Sequence, residues 1–161
     1  MDRLDTLGIS YEVVPGVSSV FAVAGALKKE FTLPEVTQTV IITRRAGRTP
    51  VPERESLTEL ARHRSTMVIL LSVAQIGEVV KDLLAGGYPP ETPAHVVEKA
   101  SWPEERIVSG TLADIAEKTN AAGISKTAII AVGDALKDQP AEALSKLYDP
   151  EFAHGYRKLR Q

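Results

Sequence analysis

Cysteine is absent from the chain, which excludes a disulfide framework and any thiolate metal site and fits a cytoplasmic location. An excess of one charge is also lacking. The 19 basic and 21 acidic residues leave a net charge of -2, so nothing electrostatic points to nucleic acid or to an anionic membrane. No apolar run approaches the roughly 20 residues of a membrane-spanning helix, and the first residues carry no signal-peptide pattern. The three histidines, His63, His95 and His154, lie far apart with no i, i+4 pair, so no metal site is expected. A Gly-x-Ser-x-Gly nucleophile motif is missing too. What remains is 161 residues with 43% hydrophobic content and 25% charge, enough for one globular core.

The stretch Tyr11 to Ser19 organises the rest. Tyr11 to Val14 reads as a strand, Pro15-Gly16 as a turn, and Ser18 or Ser19 as the N-cap of a small-residue helix from Val20 to Leu27. Open α/β sheets bind ligands at such strand-to-helix junctions, although many α/β proteins use the same junction as a plain connection. Before it, Asp2 to Leu7 predicts a short helix closed by Gly8, with Leu4 and Leu7 on one side. After it, the charged segment Lys28 to Pro34 reads as a linker.

A β-branched strand over Thr39 to Arg44 then leads into a loop, Gly47 to Pro52. Ser56 to His63 predicts a helix with Leu57, Leu60 and Ala61 inside, and Thr66 to Leu71 an apolar strand expected in the sheet centre. Ser72 is expected to cap the next helix, where Ile76, Val79, Val80, Leu83 and Leu84 follow the 3.6-residue period up to Gly86-Gly87. Pro93 to Ala100 and Arg106 to Ser109 read as antiparallel neighbours, Thr111 to Ala121 as a helix closed by Gly123, and Thr127 to Val132 as the last strand. This order predicts an α/β fold, a mixed sheet flanked by helices.

Arg44, Arg45 and Arg48 make a local basic cluster, either a solvated turn or a clamp for carboxylates, which guanidinium groups pair bidentately. Asp114 and Glu117 share a helix face with Lys118 and read as solvated surface. Trp102 beside Pro103 is expected to pack a turn, with stacking on a flat ligand as the alternative. On these residues alone the chain is an α/β domain whose ligand is open.

Several blocks are more specific than their physics. Val14-Pro15-Gly16-Val17-Ser18-Ser19, Gln38 to Arg44, Gly47 to Pro52, Ala100 to Val108, Gly110 to Ile115, and Leu147 to Pro150 with His154 to Arg157 together resemble the tetrapyrrole (uroporphyrinogen/precorrin) methylase family. The middle and end blocks resemble its branch acting at ring carbon 11 of precorrin-4 or cobalt-precorrin-4. The resemblance implies S-adenosylmethionine (SAM) as cofactor, a tetrapyrrole substrate, a homodimer, a role in cobalamin synthesis and SAM held between two lobes largely by backbone groups. Its chemistry needs no metal or covalent intermediate, because the cofactor carries an activated methyl and the protein's task is alignment. No residue is therefore singled out as catalytic.

Position by position, the resemblance implies cofactor contacts from Val17, Ser18 and Ser19, from Leu71 and Ser72, and from the strand containing His95, where a small residue would be expected. Thr127 and Ala128 complete the set, and Arg44 and Arg48 would meet the substrate's carboxylate arms. The family's Gly-rich first turn and Gly-Asp-Pro loop have no counterpart here; Gly133-Asp134 is followed by Ala135. Residues 1–33 are thus expected to be the end of an amino-terminal lobe plus linker, 34–133 the carboxyl-terminal α/β lobe, and 134–161 a polar tail. The isolated chain is expected to be inactive and to self-associate through Val13, Val17, Val20 and Phe21. The alternative is a non-catalytic module or assembly subunit that keeps the second lobe.

Overall fold

Small and apolar residues follow Ser18 without a break, and its hydroxyl accepts the Val20 N–H at 3.3 Å, so a helix starts there as the cap requires. In the computed structural model, which describes residues 1–138, the helices are α1 (Asp2–Thr6), α2 (Ser19–Leu27), α3 (Leu57–Ala61), α4 (Ile76–Ala85) and α5 (Ile115–Ala121). The strands are β1 (Val40–Arg44), β2 (Thr66–Leu70), β3 (Pro93–Glu98), β4 (Arg106–Thr111) and β5 (Ala128–Val132), in one sheet ordered β1-β2-β5-β3-β4. β1 and β2 are parallel, β5 runs antiparallel to both β2 and β3, and β4 antiparallel to β3. The carboxyl ends of β1, β2 and β3 therefore share one rim with the amino end of β5.

Alternation along the strands divides the core. Met67, Ile69, Ala94, Val96, Ile130 and Val132 face the layer that supplies Leu57, Ala61, Val79, Leu83 and Ile115 from α3, α4 and α5. Val68, Val97, Ile129 and Ala131 face the other way, against Val20 and Val23 of α2, Phe31 and Leu136. Fully burying each of those α2 valines contributes about 2 kcal/mol, so residues 20–31 are packed onto the sheet. Leu136 and Ala135 are buried as well, so the chain beyond Gly133 begins as part of the core. The blocks at Leu147 to Pro150 and His154 to Arg157 lie outside the described residues.

Three expectations are corrected. Tyr11 to Val14 is not a strand: among the described residues no neighbour pairs with its backbone, and Tyr11, Val13 and Val14 are exposed, whereas a strand needs a partner for its N–H and C=O groups. Val20, expected on an exposed apolar face with Val13, Val17 and Phe21, is 1% exposed because α2 turns it onto the sheet. Thr66 to Leu71 is interior, but the middle place belongs to β5, whose five residues are all buried.

Element ends also shift for identifiable reasons. β3 stops at Glu98 and β5 starts at Ala128 because Lys99 and Thr127 take left-handed angles, φ 49° and 53°. α5 starts only at Ile115 because the Asp114 carboxylate accepts the Thr111 N–H at 2.8 Å and holds a turn there.

Candidate functional site

The shared rim carries a cavity of about 380 Å³, within the range of small-molecule sites. Leu70 and Leu71 come from the end of β2, Val97, Lys99 and Ala100 from the end of β3, and Thr127, Ala128 and Ile129 from the start of β5. Ser19, the first residue of α2, and Val73 and Ala74, in a single 3-10 turn after β2, add to the lining, which Trp102, Ser125 and Lys126 complete. The site thus sits at the carboxyl ends of β2 and β3, where open α/β sheets bind ligands.

Three wall residues carry unusual backbone. Leu71, Lys99 and Thr127 have φ of 56°, 49° and 53°, a conformation that costs a non-glycine residue about 1 kcal/mol or more. The Lys99 N–H donates to the Thr127 carbonyl at 2.8 Å, tying two of them across the β3–β5 ladder. Leu71 is 86% exposed, so packing does not account for its angle. Strain of this kind collects where backbone groups are aimed at a ligand.

Of the residues expected to touch a cofactor, the structure brings four together around the cavity: Ser19, Leu71, Thr127 and Ala128. Val17 is 87% exposed before α2, and Ser18 is engaged as its cap. Ser72 is 1% exposed and caps no helix with its side chain. Its hydroxyl instead accepts the Arg45 N–H at 2.9 Å and donates to the Leu70 carbonyl at 2.8 Å, joining the ends of β1 and β2.

His95 lies in mid-strand away from the cavity lining, its Nδ1 2.9 Å from the Ser109 hydroxyl and its Nε2 buried with no side-chain hydrogen-bond partner among the described residues. Burial pushes its pKa down, opposed by the Leu136 backbone and Asp138, and aided weakly by Lys29. A native imidazole with a depressed pKa binds its proton later than the unfolded chain does, so stability is full above about pH 6.5 and falls as the pH drops through that value. Urea unfolding of the chain and of His95→Asn between pH 8 and pH 5 is expected to show the difference between them shrinking toward acid. A pH-independent difference would mean that His95 titrates normally.

The basic loop divides its labour. The Arg44 guanidinium donates to the carbonyls of Thr49 at 3.0 Å and Pro50 at 2.9 Å, bracing the loop. Arg45 points to the helical face, where it meets Asp82 and Gln75, each at 2.7 Å. Arg48 is exposed and has no hydrogen-bond or ionic partner among the described residues. Asp114 pairs with Lys118 at 2.6 Å on the surface. Residue patterns missed Lys99, Lys126 and the placing of Trp102 at the cavity; the signal available was the position of Lys99 and Lys126 just beyond two apolar strands.

A family model of the tetrapyrrole (corrin/porphyrin) methylases matches residues 1–116. The cobalt-precorrin-4 C(11)-methyltransferase of Methanocaldococcus jannaschii is 58% identical over 158 residues, 98% of this chain and 61% of that protein. Its counterpart from Priestia megaterium is 47% identical over 94% of this chain and 59% of its own length. Among solved structures, the cobalamin biosynthetic cobalt precorrin-4 methyltransferase CbiF matches with a TM-score of 0.82 at 46% identity, over 84% of this chain and 57% of that one. The uroporphyrin-III C-methyltransferase of Thermus thermophilus complexed with S-adenosyl homocysteine matches with a TM-score of 0.66 at 28% identity, over 83% and 57%. The chain spans about three fifths of the length of the curated relatives it matches.

Proposed function

Because this chain belongs to the tetrapyrrole (corrin/porphyrin) methylases, we propose that it is the α/β lobe of a SAM-dependent methyltransferase acting at carbon 11 of precorrin-4 or cobalt-precorrin-4 in cobalamin synthesis. The observation that carries the proposal is the rim cavity, around which Ser19, Leu71, Thr127 and Ala128 converge from three separate segments, the start of α2, the end of β2 and the start of β5. Its chemistry suits the cofactor. Leu70, Val97, Ala128 and Ile129 offer an apolar slot for a flat base, and the left-handed residues Leu71, Lys99 and Thr127 line the same cavity.

SAM, when bound, supplies an electrophilic methyl on a sulfonium. The chain's own part is to hold the cofactor's adenosine end and keep water from it. No acid, base or nucleophile of this chain is assigned a proton-transfer role. Val13, Val17 and Phe21, 65%, 87% and 61% exposed, are consistent with a homodimer as part of the same proposal.

The test is a titration of the isotope-labelled chain with S-adenosylhomocysteine, followed by amide chemical shifts. Saturable shifts are expected at Leu71, Val97 and Thr127 to Ile129. Shifts confined to other regions, or none at all, would reject the cavity as the cofactor site.

A further inference from the structure

We propose that Arg45 is a positioning residue for the cofactor cavity: from outside the lining it clamps the turn after β2, through Ser72 and Gln75, and so fixes Leu71 and Ala74 in the cavity wall. The inference rests on the reading of the rim cavity as the cofactor site and adds the residue that keeps one wall in place.

The turn needs such a hold. Leu70, Leu71, Val73 and Ala74 all line the cavity, yet Leu71 and Ala74 are exposed, and Leu71 has a left-handed backbone, φ 56°. Val73 is the only buried apolar side chain from Leu71 to Gln75. The turn also crosses the rim, since Leu70 packs on the α2 side of the sheet and Val73 with the layer of α3, α4 and α5. Little apolar contact therefore fixes its path, and polar bonds have to.

Arg45 supplies them at both ends of the turn. Its N–H donates to the Ser72 hydroxyl at 2.9 Å, which donates in turn to the Leu70 carbonyl at 2.8 Å. Its Nη1 donates to Gln75 Oε1 at 2.7 Å. Gln75 stands at the N-cap of α4 but caps nothing with its side chain, so its amide oxygen is left for the guanidinium. The Gln75 N–H closes the same turn on the Ser72 carbonyl at 3.0 Å. Ser72 and Gln75 are thus joined to each other and to one arginine, and none of the three lines the cavity.

The clamp is itself anchored. Arg45 Nε donates to Asp82 Oδ2 at 2.7 Å, and the two side chains are 25% and 27% exposed, less open to screening than a pair on the outer surface. Glu78 also faces Arg45, but Lys81 holds its carboxylate at 2.8 Å. A guanidinium can serve Asp82 and Gln75 at once because its N–H donors lie in a fixed fork, a geometry that a lysine ammonium cannot match. An ion pair to Asp82 alone would merely staple the end of β1 to α4. Two of the three hydrogen bonds that Arg45 donates among the described residues end on the cavity turn instead.

The test uses the isotope-labelled whole chain, free and titrated with S-adenosylhomocysteine, with amide order parameters, amide shifts and urea unfolding as readouts. In the free chain, Arg45→Gln and Gln75→Ala are each expected to lower the order parameters of Leu71 to Ala74 below about 0.6, while the strands keep theirs at about 0.85. Each should weaken S-adenosylhomocysteine binding about tenfold. The double variant should bind no more weakly than Arg45→Gln alone, because the bond between the two side chains is already gone. Arg45→Lys keeps the charge opposite Asp82 and is expected to hold the parent's unfolding midpoint, yet still to weaken binding about fivefold. Arg62→Gln, which breaks the exposed pair with Glu59 beside α3, should change neither the turn nor binding. Gln75→Ala removes only a half-buried amide, so the turn can be read even where Arg45→Gln fails to fold.

Unchanged order parameters at Leu71 to Ala74 in correctly folded Gln75→Ala, parental binding by Arg45→Lys, or losses that add in the double variant overturn the inference and leave the methylase reading intact. A turn that loosens as expected in a chain that shows no S-adenosylhomocysteine shifts upholds the clamp and strikes the cofactor reading instead.

Discussion

Gly133→Ala is expected to lower the unfolding free energy by about 4 kcal/mol, a clash and a backbone penalty combined. Gly133 has φ 146° and ψ 161°, a region essentially reserved for glycine. A Cβ built there would lie 2.9 Å from the Thr66 Cα and 3.2 Å from its hydroxyl, in the backbone of a neighbouring interior strand that cannot move aside. The position matters because Gly133 ends β5: its N–H donates to the Pro93 carbonyl at 3.1 Å, and its own carbonyl accepts the Leu136 N–H at 3.1 Å. That turn seats Leu136 against the sheet. Gly25→Ala is the matched comparison. It lies exposed within α2 with nothing within 4 Å of an added Cβ, and alanine there should stabilise by about 0.7 kcal/mol through helix propensity. Urea unfolding of both variants checks the pair. A Gly133→Ala loss below about 1 kcal/mol would show that the turn relaxes freely.

The contrast between these glycines also shows how the fold was legible. Element type followed from pattern: β-branched and apolar runs became strands, and the 3.6-residue spacing of Ile76, Val79 and Leu83 became α4 with those three residues buried. Strand order did not follow, because pairing depends on both faces of a strand being covered at once. Ala128 to Val132, apolar throughout, takes the middle, while Thr66 to Leu70 sits beside it. Tyr11 to Val14 has strand composition but nothing to pair with among the described residues, and composition alone cannot supply a partner.

The site was half legible for a related reason. Ser19, Leu71, Thr127 and Ala128 could be placed by resemblance, and they meet at one cavity. What makes the cavity is left-handed backbone at Leu71, Lys99 and Thr127, and no local signal marks it, since these are residue types that ordinarily avoid such angles. The same turn carries Trp102: with Lys99 and Ser101 both at positive φ, the indole lines the cavity, 57% exposed, instead of entering the core.

Ala74→Trp is expected to weaken S-adenosylhomocysteine binding at least about a hundredfold, a change of roughly 2.7 kcal/mol. Ala74 lines the cavity but is exposed, in the 3-10 turn that runs from the end of β2 into α4. An indole there has two environments, water or an apolar slot walled by Leu70, Val97 and Ile129, and burial favours the slot by about 2 kcal/mol. Once seated, it fills the space that a flat base would take, so ligand and side chain compete for one volume. Because no buried side chain is removed, the folding free energy should stay within about 0.5 kcal/mol of the parent. Ala121→Trp, on an exposed position of α5 against the opposite face of the sheet, adds the same side chain without touching the cavity and should leave binding as it was. Amide shifts and urea unfolding of both variants give the answer. If Ala74→Trp binds as tightly as the parent, the cofactor lies elsewhere; if both variants lose binding equally, the effect is on the fold and not on the cavity.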